Sequence, residues 1–410
     1  MVKPADLLSV ERARTLILER FSRLPTELVD LASAHGRVLG TPIESKILVP
    51  PFANSSMDGF ALRSEETVGA DAGNPIRLHV TSHIQAGKSP TVPVTEGTSA
   101  RIMTGAPLPA GADAVIPFED VEESDGWISL RTRIGQGACV RAAGQDVRPG
   151  APLLEAGAEL AAPQIALLAA TGHGEVLVTR RPRVAVIATG DELIAPGQTL
   201  SPGQIYNSNS PMLVAAVREA GGEAVAVDVV GDTVDVLRRA MEDAAGCDLM
   251  LTSGGASVGD WDYVKDVLGE SGAVNFWRVR LRPGKPLIFG TFGDVPVLGL
   301  PGNPTSAMVT FEQFARPAIR RLLGATLMRP LLSVTVRERI ENGGGRRTYA
   351  RVLLHATEDG WEASLAGGQD SAMLLPLALA DGLLEIPEDC AELLPGDRAL
   401  VQVWRLPAGG

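Results

Sequence analysis

The strongest constraint on the fold is an alternation of apolar strand patterns and helical patterns between residues 181 and 324. The first strand pattern, residues 184–188, is a run of five small or β-branched apolar residues with no polar position. A strand without a polar face is typical of a parallel sheet covered by helices on both sides. Strands that alternate with helices of about 10–15 residues predict a doubly wound, mostly parallel α/β domain. The predicted strands are residues 184–188, 224–230, 248–251, 274–279, 287–289 and 295–298, and the predicted helices are residues 211–220, 234–245, 263–268 and 304–323.

The chain on either side of this α/β pattern predicts three further domains. Residues 51–139 consist of short alternating apolar runs between Gly, Pro and Asp-Gly turns, which is typical of an all-β segment. Similar helix-plus-strand patterns flank this segment, so residues 1–50 and 140–179 are predicted to form one domain that is split by the β insertion. The α/β domain then covers residues 180–325. The tail, residues 330–410, returns to short β patterns and predicts a β-barrel or sandwich.

Local signals predict the helices of the split domain. Apolar residues recur at helical spacing after Ser9, which is a suitable N-cap. Thr26 is a second candidate N-cap, for a helix that Gly36 would end. Pro163 and Gly172 bound a third helix, because proline suits a first helical turn and glycine suits a helix end.

Charge and cysteine content exclude several classes of protein. The 410 residues include 37 Lys and Arg and 49 Asp and Glu, for a net charge of −12, which disfavours nucleic-acid binding. The three cysteines lie far apart and form no CxxC pair, which argues against a zinc ribbon or a disulfide framework. The longest apolar run, residues 372–380, contains Pro376 and falls short of the roughly 20 residues of a membrane span. We therefore predict a cytoplasmic protein without nucleic-acid or membrane partners.

Glycine-containing turns with polar residues follow the predicted strands of the α/β domain. Ligands of open α/β sheets bind beyond the carboxyl ends of the strands, so these turns together predict a ligand site. Each turn alone could be only a tight turn. The turns are Thr189-Gly190-Asp191-Glu192, Gly231-Asp232, Ser253-Gly254-Gly255-Ala256-Ser257-Val258-Gly259-Asp260-Trp261-Asp262-Tyr263, Arg282-Pro283-Gly284-Lys285-Pro286 and Leu300-Pro301-Gly302-Asn303-Pro304.

The residue types in these turns point to a phosphate and a hard cation. Ser253, Gly254 and Gly255 precede a predicted helix, and backbone N–H groups at a helix start suit phosphate. Carboxylates beside a bound phosphate repel it unless a cation bridges the two, and Mg²⁺ prefers such oxygen ligands. The carboxylates concerned are those of Asp191, Glu192, Asp232 and Asp262. The turns contain neither a P-loop nor a GxGxxG fingerprint.

Imidazole chemistry is excluded from within the α/β domain, because no histidine occurs between His173 and His355. His355 could reach over from the tail, although a lone histidine is more often structural. Ser257 and the other serines have no local base, which disfavours a serine nucleophile.

Seven motifs are spread over nearly the whole chain. They are Ser56-Met57-Asp58-Gly59-Phe60-Ala61, Arg101-Ile102-Met103-Thr104-Gly105-Ala106-Pro107, Thr189-Gly190-Asp191-Glu192-Leu193, Ile205-Tyr206-Asn207-Ser208-Asn209, the stretch from Ser253 to Gly259 with Asp262-Tyr263, Pro283-Gly284-Lys285-Pro286 and Leu300-Pro301-Gly302-Asn303-Pro304. These motifs resemble those of the molybdopterin molybdenumtransferase (MoeA) family, which is related to the C-terminal part of gephyrin, and the resemblance covers nearly the whole chain.

The resemblance implies an activity and an assembly. Members of this family insert molybdate into adenylylated molybdopterin and release AMP in a magnesium-dependent reaction. They form homodimers of four-domain subunits, with a C-terminal β-barrel, and a molybdopterin adenylyltransferase is the pathway partner that supplies their substrate. The family's cleft lies between the α/β domain of one subunit and the β insertion of the other, which would bring Asp58 and Thr104 opposite Glu192, Asp232 and Asp262.

The resemblance also assigns roles to residues. The implied catalytic residues are Asp58, Thr104, Glu192, Asp232 and Asp262, and the last three are the implied magnesium ligands. The implied substrate-binding residues are Asp146, Thr189, Gly190, Asp191, Ser253, Gly254, Gly255, Ser257, Gly259, Arg278, Arg282, Lys285, Pro301, Gly302, Asn303, Pro304, Arg351 and Ser371. The arginines and Lys285 supply positive charge to bound oxyanions.

Two other functions stay open from the sequence. A molybdopterin adenylyltransferase would use the same cleft, but stand-alone enzymes of that kind are single α/β domains. A scaffold module, as gephyrin is in part, is a rival from another class. Asp58 could also be only the first residue of an Asp-Gly turn.

Overall fold

The computed structural model describes residues 7–231, 233–254, 263–271 and 274–407. Its centre is a six-stranded sheet that contains the predicted first strand, Arg183–Thr189, of which six residues are buried. The strands in spatial order are Glu223–Val230, Arg183–Thr189, Leu249–Ser253, Val295–Leu300, Pro286–Phe292 and Val274–Arg278.

This sheet is doubly wound and mostly parallel, as predicted. The first four strands in spatial order run parallel, whereas Pro286–Phe292 is antiparallel to its neighbours on both sides. Successive residues of Arg183–Thr189 face opposite sides of the sheet. Val184 and Val186 belong to one apolar core, and Ala185 and Ile187 belong to another. The helices are Asn209–Glu219 and Pro304–Thr310 with Arg316–Leu323 against the first core, and Val234–Asp243 and Tyr263–Ser271 against the second.

The long helix predicted for residues 304–323 contains a π-helical segment, Phe311–Ala315, between its two α-helical parts. Glu312 and Gln313 in this segment are 1% and 0% exposed. The Gln313 side-chain oxygen accepts a hydrogen bond from the Arg14 guanidinium at 2.9 Å, and the Gln313 amide donates to the Gln402 side-chain oxygen of the C-terminal domain at 2.7 Å. The π-segment therefore ties three parts of the chain together.

One helix predicted for the split domain is wrong. Ser9 caps the helix Val10–Leu18 as expected, with its hydroxyl accepting from the Arg12 N–H. Thr26, however, begins the strand Thr26–Asp30 instead of a helix. This strand pairs antiparallel with Glu175–Thr179, almost 150 residues later, and that non-local pairing overrides local helix propensity.

The same domain joins residues from both sides of the β insertion. Besides that first pairing, Ile43–Glu44 pairs with Pro152–Leu154. At the boundary with the insertion, Asn54–Ser55 pairs with Val140–Arg141. The helix Ala162–Ala170 has Pro163 in its first turn as predicted. The limits assigned to the four domains remain a prediction.

The insertion and the C-terminal region each form a β structure. The insertion is a six-stranded sheet, in spatial order Ala114–Pro117, Gly59–Leu62, Thr98–Ile102, Ile76–Ile84, Trp127–Leu130 and Val121–Ser124. The C-terminal region is a closed barrel of five strands, Arg347–Thr357, Gly360–Leu365, Leu331–Val336, Arg398–Val403 and Gly382–Ile386, the last of which pairs with the first. The shorter elements are the strands Leu193–Ile194, Ile205–Tyr206, Leu281–Arg282, Ile340–Glu341 and Glu392–Leu393, the 3-10 helices Leu31–Ser33, Ser64–Thr67 and Phe118–Asp120, and the helix Leu374–Leu379. None of the helices in the described ranges combines the length and apolar character that crossing a membrane requires.

Candidate active site

The strand directions bring the predicted turns to one edge of the α/β sheet. The parallel strands end there at Thr189, Ser253 and Leu300. The strand Pro286–Phe292 runs in the opposite direction and therefore begins at the same edge. In the part of the chain that the structure describes, the beginnings of the turns after the parallel strands and the turn that contains Arg282 thus share this edge, as the sequence predicts.

Asn209 connects two of these turns. Its side-chain amide donates to the Ser253 hydroxyl at 2.7 Å and to the Gly302 carbonyl at 2.6 Å. Asn209 is 8% exposed and begins a helix that packs on the sheet. Asn209 is not among the predicted site residues, although the Asn207-Ser208-Asn209 motif contains it. The available signal was a polar residue at a helix start, and only the fold shows that its amide spans two turns.

Thr189 and Gly254 make a tight contact at the same edge. Gly254 has a φ of +96°, and a Cβ atom there would lie 2.3 Å from the Thr189 carbonyl oxygen. Glycine is therefore required by both conformation and space. The Thr189 hydroxyl is buried and has no hydrogen-bond partner among the residues that the structure describes. At this edge a buried hydroxyl without a described hydrogen-bond partner thus lies next to a stretch of backbone without a side chain.

Two predicted acids lie at this edge. Asp191 and Glu192 are exposed. A Glu192 carboxylate oxygen lies 2.7 Å from where a Cβ of Gly190 would be, and an Asp191 oxygen lies 3.4 Å from the corresponding position at Gly231. The predicted site residues outside the described part of the chain are Asp232, Gly255, Ser257, Gly259 and Asp262. Within the described ranges, no group of three or more His, Cys, Asp or Glu side chains could hold a metal ion.

The basic residues lie where the sheet meets the barrel. Arg282 is exposed, whereas Arg278 and Lys285 are partly buried. The strand Leu281–Arg282 pairs in parallel with residues 347 and 348 of the barrel. Arg282 therefore lies next to the C-terminal domain, and Arg278 and Lys285 lie within four residues of Arg282 in the chain.

A barrel loop contacts the turn at residues 300–304. The Asn303 amide donates to the Ser371 hydroxyl at 2.9 Å, and the Thr305 N–H donates to the Ser371 carbonyl at 3.2 Å. Pro301 is buried, and Pro304 occupies the first turn of the helix that follows. The structure thus brings Ser371 to the predicted site, from a separate domain.

Arg351 lies beneath this loop. It is 1% exposed, and its guanidinium donates to the carbonyls of Gly368 and Asp370 at 2.9 and 3.0 Å. Burial lowers the pKa of Arg351, and the charge of Asp370 partly offsets that effect. The side chain supports the loop that carries Ser371, and a direct contact with substrate would require the guanidinium to become exposed.

Asp58 and Thr104 form a separate corner in the β insertion. One Asp58 carboxylate oxygen accepts from both the N–H and the hydroxyl of Thr104, each at 2.7 Å. The N–H and then the hydroxyl lower the pKa of the exposed Asp58 carboxyl. This side-chain bond joins two motifs that are 46 residues apart, which a simple Asp-Gly turn does not explain.

Asp146 is exposed near the entry to the β insertion, where its N–H donates to the Val49 carbonyl at 3.0 Å. Among the described residues, no hydrogen bond or ion pair joins Asp58, Thr104 or Asp146 to the edge of the α/β sheet. The predicted residues therefore fall into two groups within one subunit.

Three family models match the chain. They are described as the MoeA N-terminal region (domain I and II), over residues 8–172, a probable molybdopterin binding domain, over residues 185–321, and the MoeA C-terminal region (domain IV), over residues 333–404. The sheet edge described above lies in the second match. Together, the fold and these matches define a multidomain protein built around a probable molybdopterin binding domain.

Similar proteins match over nearly the full chain. Molybdopterin molybdenumtransferase 2 of Mycobacterium tuberculosis (strain H37Rv) is 38% identical over 406 residues, which are 97% of this chain and 99% of that protein. The molybdopterin molybdenumtransferase of Nostoc sp. (strain PCC 7120) is 39% identical over 374 residues, 89% of this chain and 86% of that protein. The crystal structure of a molybdopterin biosynthesis MoeA protein from Pyrococcus horikoshii OT3 is 29% identical, has a TM-score of 0.84, and covers 97% of this chain and 100% of its own. The chain belongs to the molybdopterin molybdenumtransferase (MoeA) family.

Proposed function

We propose that this protein inserts molybdate into adenylylated molybdopterin and releases AMP. The observation that carries the proposal is the sheet edge itself, which lies in a match to a probable molybdopterin binding domain. The Gly254 backbone, the Thr189 hydroxyl, which is unpartnered among the described residues, and the loop that carries Ser371 lie at this edge together with basic side chains. Both substrates are anions, and backbone N–H groups, hydroxyls and guanidinium groups are suitable ligands for them.

The substrate-binding role is assigned to the edge of the α/β sheet. Arg278, Arg282 and Lys285 supply positive charge to the phosphoanhydride and to molybdate. The Gly254 backbone lets a ligand approach the chain closely, because no side chain intervenes. Asn303 and Ser371, joined by their 2.9 Å hydrogen bond, orient a hydroxyl toward the same edge.

The catalytic role is assigned to Asp58, Thr104, Glu192, Asp232 and Asp262. Glu192, Asp232 and Asp262 would hold Mg²⁺, and the exposed Glu192 carboxylate offers the oxygen ligands that this ion prefers. Bound Mg²⁺ supplies charge neutralisation to the phosphoanhydride. The N–H and hydroxyl of Thr104 lower the pKa of Asp58 and so favour its carboxylate form, which can orient a water or a cationic ligand.

A homodimer would bring the two groups of residues together. Asp58 and Thr104 belong to one domain and the sheet edge to another, and no described hydrogen bond joins them within the subunit. We therefore propose a composite site between two copies of the chain in the cytoplasm. A molybdopterin adenylyltransferase is the proposed partner, since that reaction supplies the adenylylated substrate.

Incubation with adenylylated molybdopterin, with and without molybdate, tests the proposed function. We expect AMP release that depends on molybdate. Asp58→Asn and Glu192→Gln should each lower the rate by about 10²–10³, the usual loss for one electrostatic contact to a transition state. Glu122→Gln, an exposed acid paired with Arg131 in the same insertion as Asp58, is the matched control and should retain activity.

The outcomes separate the rival functions. Formation of adenylylated molybdopterin and pyrophosphate from molybdopterin and ATP would identify an adenylyltransferase instead. Substrate binding without either reaction would favour a scaffold module.

A further inference from the structure

Two arginines from different domains lie in neighbouring segments at the junction of the sheet edge and the barrel. Arg282 lies in the turn before Pro286–Phe292, and Arg346 follows a run of three glycines at residues 343–345. The strand Leu281–Arg282 pairs in parallel with residues 347 and 348, so the two segments are neighbours. Arg346 is not among the residues that the family motifs select.

The glycine turn accommodates the Arg282 side chain. A Cβ atom at Gly343 would lie 2.6 Å from Arg282 Nη1, so the guanidinium occupies the space of the missing side chain. Gly344 and Gly345 have φ values of +71° and +70°, which L side chains rarely adopt. The turn thus accommodates Arg282 against the barrel, and Arg346 directly follows the three glycines in the chain.

The two charges have no carboxylate partner in the parts of the chain that the structure describes. Burial and then the charge of Arg282 lower the pKa of Arg346. The next residue, Arg347, differs sharply, because it forms ion pairs with Glu385 at 2.9 Å, with Glu388 at 3.0 Å and with Glu11. In a chain with 49 acidic and 37 basic residues, two arginines in neighbouring segments, neither with a carboxylate partner among the described residues, form a positively charged site.

We propose that Arg346 and Arg282 together bind one tetrahedral oxyanion at this junction. A guanidinium donates two parallel hydrogen bonds to phosphate-type oxygens, and one anion between two such groups relieves their mutual repulsion. This inference rests on the proposed function, which supplies two such anions, the phosphate of the nucleotide and molybdate. Arg346 would then be a substrate-binding residue that the barrel contributes.

Calorimetric titration of the full-length protein, with AMP and separately with sodium molybdate, tests the proposal. Arg346→Gln should weaken the binding of at least one anion by about 10- to 100-fold, as expected for losing hydrogen bonds from a charged group. Arg337→Gln removes an exposed arginine of the same barrel that pairs with Glu362 at 3.1 Å, and it should change affinity less than twofold. A loss confined to AMP identifies phosphate as the ligand, and a loss confined to molybdate identifies molybdate. Equal affinities in Arg346→Gln and wild type, or no binding of either anion by wild type, would overturn the proposal.

Melting in the absence of anions separates binding from structure. Because Arg346→Gln removes one of two repelling charges, it should not lower the melting temperature, and a clear decrease would indicate a structural role and overturn the proposal. Gly343→Ala provides a second variant, since it displaces the Arg282 guanidinium and should weaken the binding of the same anion.

These binding measurements are independent of turnover. If the wild type binds the anion through Arg346 but releases no AMP, only the proposed function is refuted. If turnover is normal and Arg346→Gln binds the anion as the wild type does, only this inference is refuted.

Discussion

Replacing Asn209 with alanine tests whether one buried amide holds two turns of the site together. The amide donates to the Ser253 hydroxyl at 2.7 Å and to the Gly302 carbonyl at 2.6 Å. Each bond contributes about 1 kcal/mol net, and an unpaired buried hydroxyl costs about 1 kcal/mol more. Ser253 is 2% exposed and would lose this partner, whereas Gly302 is exposed and can bond to water. We therefore expect the free energy of local opening to fall by about 2–3 kcal/mol.

Hydrogen exchange measures that loss where it occurs. A decrease of about 2–3 kcal/mol corresponds to roughly 30- to 150-fold faster exchange in the regime limited by local opening. Peptides that span residues 298–306 are the informative ones, because they contain the Gly302 and Asn303 amides. The same variant should also bind AMP and molybdate more weakly than wild type.

Asn207→Ala is the matched control. Asn207 is 5% exposed, and its side chain bonds only within the start of the same helix, with the Ser210 hydroxyl at 2.8 Å and the Ser210 N–H at 3.1 Å, among the bonds described. Asn207→Ala should lower the free energy of unfolding by about 1 kcal/mol, as the loss of a helix cap does, and should leave residues 298–306 protected from hydrogen exchange. If Asn209→Ala leaves that segment as protected as in wild type, or if Asn207→Ala exposes it equally, then the amide does not hold the two turns.

Four further predictions follow from the structure. Glu312→Gln should lower the free energy of unfolding by about 3–5 kcal/mol, because it leaves Arg329 and Arg316 without their buried carboxylate. Glu219→Gln removes only the exposed partner of Arg329 and should cost less than about 1 kcal/mol, so equal melting temperatures of the two variants would contradict this reasoning. Thr104→Val should raise the pKa of Asp58 in an NMR titration, because it removes the hydroxyl bond that favours the ionised carboxylate and keeps the N–H bond; an unchanged titration would show that the hydroxyl is not involved. The stability that the lowered pKa of Asp58 contributes is present above that pKa and is lost as pH falls through it, so the variant should lose less stability on acidification. Chelation with EDTA should stop AMP release and Mg²⁺ should restore it, so an undiminished rate in chelator would exclude a magnesium role. Light scattering should give twice the 43.0 kDa chain mass, and a fully active monomer would refute the composite site.

Local signals predicted elements whose residues need no distant partner. Ser9 caps the helix Val10–Leu18 because its hydroxyl reaches an N–H three residues away. The five apolar residues 184–188 predicted a buried central strand because both of its faces need covering. Thr26–Asp30 could not be predicted in this way, since its strand conformation depends on pairing with Glu175–Thr179.

In the candidate site, too, local features could be predicted from the sequence, whereas contacts between distant residues could not. From the sequence alone, glycines and polar residues after apolar runs predict polar, glycine-containing turns at the strand ends, because such turn conformations are a local requirement. Only the tertiary structure decides which distant groups meet there. The Asn209 amide reaches Gly302, the Ser371 loop reaches Asn303, and Gly343 of the barrel lies against the Arg282 side chain, because sheet order and barrel closure bring them together. Contacts between residues tens of positions apart leave no periodic trace in the sequence, so their partners emerge only from the packed fold.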